Sequence, residues 1–349
     1  FLLVPLGWGL VGGLDGMRQT LDPHFFSLAT PAGIGVWFIF LLTVNGLIGI
    51  ISQPHMLAAV GTGKDERTCR VGMFYGNFVK RICTVGWALV GLIVAAMALR
   101  PELGMGPLHD PEDAFGVACR RLLFPGGLGL MVASILAANM STCSAFMVDS
   151  GALFTKNLYQ RYFRREAPDR HYLWAGRVSG LVLSSMGVLY ALFLVDRVLY
   201  SFLLTETMAT YMGISIFGGI LWRRANRWGA VASLLTPIVV IFSLMAARGE
   251  RLDHWEPNVF GISLLSGIAA LVAVSLLTRP EPDATLDPFF ARFDEPVEGT
   301  AKPGTRLLLA DLGRGLRKGA HYGEDIKGFV QGWIWVAALV GLTWLWLRG

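Results

Sequence analysis

Residues 127–160, GLGLMVASILAANMSTCSAFMVDSGALFTKNLYQ, constrain the fold more than any other stretch. They stay largely apolar beyond the roughly 20 residues that carry a helix across a bilayer. Inside this run sits a small polar patch, Ala138, Ser141 and Thr142. These positions follow an i, i+3, i+4 pattern and so share one helix face. Ser134 lies one turn earlier on the same side and Asp149 two turns later. A row of oxygens in hydrocarbon needs partners, because a buried unpaired polar group costs about 1–3 kcal/mol. Two readings are open on spacing alone. The hydroxyls can bond back to the carbonyls one turn earlier while small residues admit a neighbouring helix. Alternatively, the oxygens can hold a small hard cation.

The run is one of several. Further apolar runs occupy 34–55, 82–99, 178–195, 198–222, 229–247, 260–278 and 329–347, and residues 1–16 read as the end of another. Only 16% of residues are charged and 54% are hydrophobic, where soluble domains carry about 25% charged. The sequence therefore predicts an all-α polytopic membrane protein with one partial and eight full spans. Alternating sides place 22 of the 30 Lys and Arg residues in 60–81, 156–177, 223–228 and 279–328. The positive-inside rule puts those four segments in the cytoplasm, and the chain is expected in the cell (inner) membrane. The net charge of +5 is thus explained by basic residues between the apolar runs at the inner membrane face and does not indicate nucleic acid.

Other chemistry is sparse. Cys69, Cys83, Cys119 and Cys143 form neither a CxxC nor a metal-ligand spacing, which excludes a disulfide framework. The six histidines are scattered, and no P-loop, GxSxG or dinucleotide fingerprint occurs, so enzyme classes built on them are excluded. No cofactor and no metal beyond a coupling ion is expected. The run 34–55 holds Thr43-Val44-Asn45-Gly46 and then Gly49, Ser52 and Pro54, which predicts either a kink or a helix broken at 43–46 around a cavity. Glu206 lies about 12 Å inside its span, with Thr205, Thr207 and Thr210 beside it. An intramembrane carboxylate is costly and a functional candidate by default; a cap near the interface is the plainer reading. Residues 307–316 are read as a linker or a surface-lying stretch, and Trp37, Trp87, Trp333 and Trp335 as an interfacial belt. The chain starts at Phe1, without Met and inside an apolar run, and reads as a fragment lacking its N-terminal part.

Three motifs carry a resemblance. Ala138-Asn139-Met140-Ser141-Thr142, followed by Thr155-Lys156-Asn157-Leu158-Tyr159, is similar to a signature helix of the sodium:solute symporter family. Ser52-Gln53-Pro54-His55 resembles the Gln-Pro-His segment of its proline-permease-like members. Phe217-Gly218-Gly219-Ile220-Leu221-Trp222-Arg223-Arg224, closed by Trp228-Gly229-Ala230, resembles the family's basic turn. The resemblance implies the second half of an inverted-repeat, leucine-transporter-type fold with C-terminal flanking helices. Residues 1–16 would end the first repeat and 34–222 form the second. Residues 229–278 would be two flanking helices, 279–328 a cytoplasmic loop and 329–348 the last span. It further implies sodium on the Ala138 carbonyl and the Ser141 and Thr142 hydroxyls. Thr43, Asn45 and Glu206 become substrate candidates.

The expected function is sodium-coupled symport of a small organic solute, whether amino acid, carboxylate, vitamin or sugar. Sodium binding would favour an outward-open state that captures solute. The first broken helix of the family fold is missing from the sequence, so the chain alone is expected not to transport. The alternative is a transporter-like sensor domain of a signalling protein; a membrane enzyme ranks third.

Overall fold

The computed structural model describes residues 2–28, 35–64, 66–195, 197–249, 255–291 and 323–348. Among these the regular structure is helical, with no strand. In chain order the α-helices are α1 (Leu3–Leu10), α2 (Gly13–Thr20), α3 (Val36–Gly49), α4 (Pro54–Gly61), α5 (Glu66–Ala98), α6 (Ala114–Leu122) and α7 (Pro125–Leu153). A π-helical continuation, Phe154–Phe163, prolongs α7. Then follow α8 (Asp169–Phe193), α9 (Val198–Leu221), α10 (Arg227–Arg248), α11 (Pro257–Leu277), α12 (Asp283–Ala291) and α13 (Gly323–Arg348).

Six helical segments are long and apolar enough to cross a membrane: Val71–Ala98, Pro125–Phe163, Asp169–Phe193, Arg227–Arg248, Pro257–Leu277 and Gly328–Leu347. The bent pair Val36–Ser52 and Pro54–Gly61 makes a seventh. The chain is a multi-pass membrane protein. The eighth expected span is not among these seven; its place is taken by the helix α9, whose 24 residues reach about 36 Å. It stands outside the other seven because Glu206 and three nearby threonines dilute its apolar character.

Four sequence expectations shift. The break in the second run is not at 43–46. There α3 is continuous, and a 3-10 turn at Ile50–Ser52 leads to a 56° bend before α4. Pro54 sets that position: it bars an α conformation at Gln53, which is extended at φ −76°, ψ 115°. The segment 66–81, expected as loop, is the first half of α5, because a span can extend past the lipid with a polar end. The helix at 1–16 is two short helices, α1 and α2, separated where Gly12 and Gly13 take positive φ of 72° and 67°. The loop 100–125 contains α6. Residues 307–316 lie outside the described residues, as does most of 279–328.

The chain divides into two compact units. The first comprises Phe1–Ser27 and Tyr75–Arg197. Its core gathers Val11, Met17, Ile93, Val94 and Ala118, all buried. A Cβ on Gly7 would lie 2.5 Å from Ile93 Cγ2, so only glycine lets α1 sit this close to α5. Arg100 donates to Gly16 O (3.0 Å) and Thr20 Oγ1 (3.1 Å), placing a cation at the carbonyl end of α2. α7 packs on α8 through small residues: a Cβ on Gly151 would meet Gly176 O at 2.5 Å. Tyr159 OH bonds His171 Nε2 at 2.9 Å and Tyr172 OH donates to Arg164 O at 2.8 Å, pinning the turn between them.

The second unit comprises Leu28–Phe74 and Val198–Gly349. Leu41, Leu204, Tyr211, Ile214, Ile241, Trp255, Phe260 and Leu264 form its core. α9 lies against α3, α10 and α11. Asn226 caps α10 by accepting from Gly229 N (2.9 Å), while its Nδ2 donates to Thr278 Oγ1 (2.7 Å) and Arg279 O (3.1 Å). Arg224 donates to Thr278 O at 2.8 Å. Arg223 pairs with Asp283 and Asp287 and covers the Phe290 ring. The basic turn at 222–230 is therefore a clasp on the carbonyl end of α11, where cations are favoured.

Candidate functional site

The hydroxyl stripe belongs to the first unit. Every residue from 132 to 148 on α7 is exposed, including Ala138, Ser141 and Thr142. Thr142 Oγ1 donates to Ala138 O at 3.1 Å, as residue types at this spacing dictate. Ser134 Oγ donates likewise to Leu130 O (2.8 Å), and Ser144 Oγ to Ser141 O (2.9 Å). The Thr142 hydroxyl keeps its own lone pairs and lies beside the Ala138 carbonyl to which it donates, with Ser141 adjoining. Neutral hard oxygens of this kind suit a monovalent cation better than a soft metal. Among the described residues no cluster of His, Cys, Asp and Glu has the makings of a metal site.

The substrate candidates belong to the second unit, where α3 and the elbow meet α9. Asn45 is buried. Thr210 Oγ1, also buried, lies 2.5 Å from Asn45 Oδ1, 2.8 Å from Asn45 O and 3.1 Å from Glu206 O. Two turns on, Ser52 Oγ donates to Ala209 O (2.5 Å) and to Gly49 O (2.9 Å). At the elbow, Gln53 Nε2 donates to both carboxylate oxygens of half-buried Glu206, at 2.9 and 3.0 Å. The helices approach this closely because of glycine. A Cβ on Gly213 would lie 2.3 Å from Ile48 O, and one on Gly49 would lie 2.9 Å from Thr210 Oγ1.

Asn45 and Glu206 therefore lie on one polar seam. Thr43 does not join it: its exposed hydroxyl donates to Ile39 O at 2.8 Å within α3. Sequence reasoning missed Ser52, Gln53 and Thr210 as members. Two signals pointed to them: Gln53 directly before Pro54 in an apolar run, and the i, i+4 spacing of Glu206 and Thr210. Behind the seam, Thr207 Oγ1 accepts from Trp255 Nε1 (2.9 Å), which stiffens α9 against the core.

Comparison with known proteins gives relatives that are transporters by name. The chain is 28% identical over 287 residues to the osmoregulated proline transporter of Bacillus subtilis, covering 80% of this chain and 56% of that protein. The high-affinity proline transporter of the same organism is 30% identical, over 78% of this chain and 55% of the relative. The sodium/pantothenate symporter of Escherichia coli is 24% identical, over 79% and 56%. The chain spans about half the length of the relatives it matches. These proteins are transporters, not enzymes. A model of the sodium:solute symporter family matches residues 15–236, and the chain belongs to that family.

Proposed function

We propose that the chain is the part of a sodium-coupled symporter that carries the coupling-ion ligands and one wall of the solute site. The observation that carries this reading is the α7 oxygen pair, Ala138 O and Thr142 Oγ1 at 3.1 Å, on the helix whose motif resembles the family's sodium segment. With the Ser141 hydroxyl they would supply three neutral oxygens to sodium. The solute would contact the elbow of the broken span and Glu206. Thr43, exposed on α3, is a weaker contact than Asn45, and Asn45 acts through Thr210. Family membership and the proline and pantothenate symporters among the relatives support a small organic solute. The sensor alternative gains nothing from relatives that are transporters by name.

In this reading residues 34–222 form the second inverted repeat, and 229–278 and 329–348 are flanking helices. The basic segments 60–81, 156–177, 223–228 and 279–328 face the cytoplasm of a cell membrane. Ion and solute would be coupled because sodium stabilises one conformation more than another. The test is uptake by the intact protein in sealed vesicles. A sodium gradient drives solute accumulation and an equal potassium gradient does not. Accumulation indifferent to sodium contradicts the proposal.

A further inference from the structure

We infer that Glu206 receives a protonated amine, so that the transported solute carries an ammonium group; the inference rests on the symport reading above. The juxtaposition is a carboxylate on α9 facing the elbow of the broken span. Glu206 lies eight residues from the start of α9, about 12 Å along the helix. An ionised carboxylate at that depth is expensive without a counter-charge. Its partner is neutral: the single Nε2 of Gln53, 2.9 and 3.0 Å from the two oxygens. Among the described residues no Lys, Arg or His pairs with it. A carboxylate offers about four acceptor directions, so the amide leaves capacity as well as charge unanswered.

The geometry favours an N–H cation over a bare ion. Gln53 presents N–H bonds to the carboxylate, which is the polarity an ammonium presents. An arriving ammonium takes the place of that amide, and the amide can rotate to accept one of its protons with Oε1. The elbow permits this. Gln53 is the extended residue between the 3-10 turn and α4, and both it and Glu206 are half-buried and within reach of a ligand. Amine capture would thus break the hydrogen bond that fastens the elbow to α9, tying solute binding to movement of the broken span.

A purely structural latch makes a different prediction, because Glu206→Gln keeps a hydrogen-bonding partner for Gln53 and removes only the charge. The experiment uses the intact purified protein at saturating sodium. Binding is read by tryptophan fluorescence against the twenty amino acids and their N-acetyl derivatives. At least one amino acid should bind roughly tenfold to a hundredfold tighter than its N-acetyl form, the worth of a charge-assisted hydrogen bond. E206Q should abolish that discrimination, E206D should restore part of it, and Q53A should keep it. Equal discrimination in E206Q overturns the inference, as does binding of no amino acid. A loss of sodium affinity in E206Q also overturns it, by giving the carboxylate to the ion. Repeating the series without sodium separates the two readings: amine discrimination that ignores sodium sinks symport and leaves the amine site standing.

Discussion

Thr210 is the buried hinge-pin between α3 and α9, and its removal has a calculable cost. Its one hydroxyl proton is shared among Asn45 Oδ1 at 2.5 Å, Asn45 O at 2.8 Å and Glu206 O at 3.1 Å. Thr210→Val keeps the shape and deletes the donor. The amide oxygen of Asn45, a residue only 1% exposed, is then left without it. Orphaning a buried acceptor costs about 1–3 kcal/mol in general. Interhelical hydrogen bonds within membranes average about 0.6 kcal/mol and reach about 1.7. We expect a loss of about 1–2 kcal/mol. Asn45→Ala should be non-additive with it, since the double variant has no orphaned amide; the expected coupling is about 1 kcal/mol. Equilibrium unfolding in mixed detergent micelles, followed by far-ultraviolet circular dichroism, measures all four proteins. A Thr210→Val loss below about 0.3 kcal/mol, or strict additivity, would refute the claim that this bond fastens the broken span.

Three other outcomes follow from the structure. Gly213→Leu forces a Cβ against Ile48 O, where it would lie at 2.3 Å; overpacking of this kind costs about 1–3 kcal/mol, and a variant as stable as the original contradicts the packing. Asn226→Ala removes the cap of α10 and the bonds to Thr278 and Arg279, with an expected loss of about 2 kcal/mol in the same unfolding assay. Burial pushes the Cys119 thiol above its ordinary value, which lowers the reactive thiolate fraction at neutral pH. Cys119 should therefore resist a maleimide at pH 7 in the folded protein and react after denaturation in SDS, as mass spectrometry of the labelled peptide can show.

The spans were legible because hydrocarbon demands long apolar helices. α9 was legible as a helix too, although its polar face dilutes the apolar signal, because Val198–Leu221 is bounded by Asp196-Arg197 and Trp222-Arg223-Arg224. The break was expected at 43–46, where Thr43-Val44-Asn45-Gly46 makes a poor continuous helix with Gly49, Ser52 and Pro54 beyond it. Yet Asn45 is answered across helices by Thr210, and the backbone yields instead where Pro54 denies Gln53 a helical conformation. Proline chemistry decided where the helix ended. Partners 153 residues apart, such as Gln53 and Glu206, leave no trace in local spacing. The hydroxyl stripe on α7 is the reverse case: its helix face follows from spacing, and its meaning comes from the motif.

Sodium affinity of the intact protein carrying Ser141→Ala and Thr142→Val tests the central claim most directly. Both changes keep α7 apolar and helical while deleting two of the three oxygens assigned to the ion. Titration of sodium against tryptophan fluorescence should show affinity weakened by at least roughly tenfold, the worth of about 1.4 kcal/mol. Sodium affinity equal to that of the unaltered protein would contradict the assignment of the ion to α7.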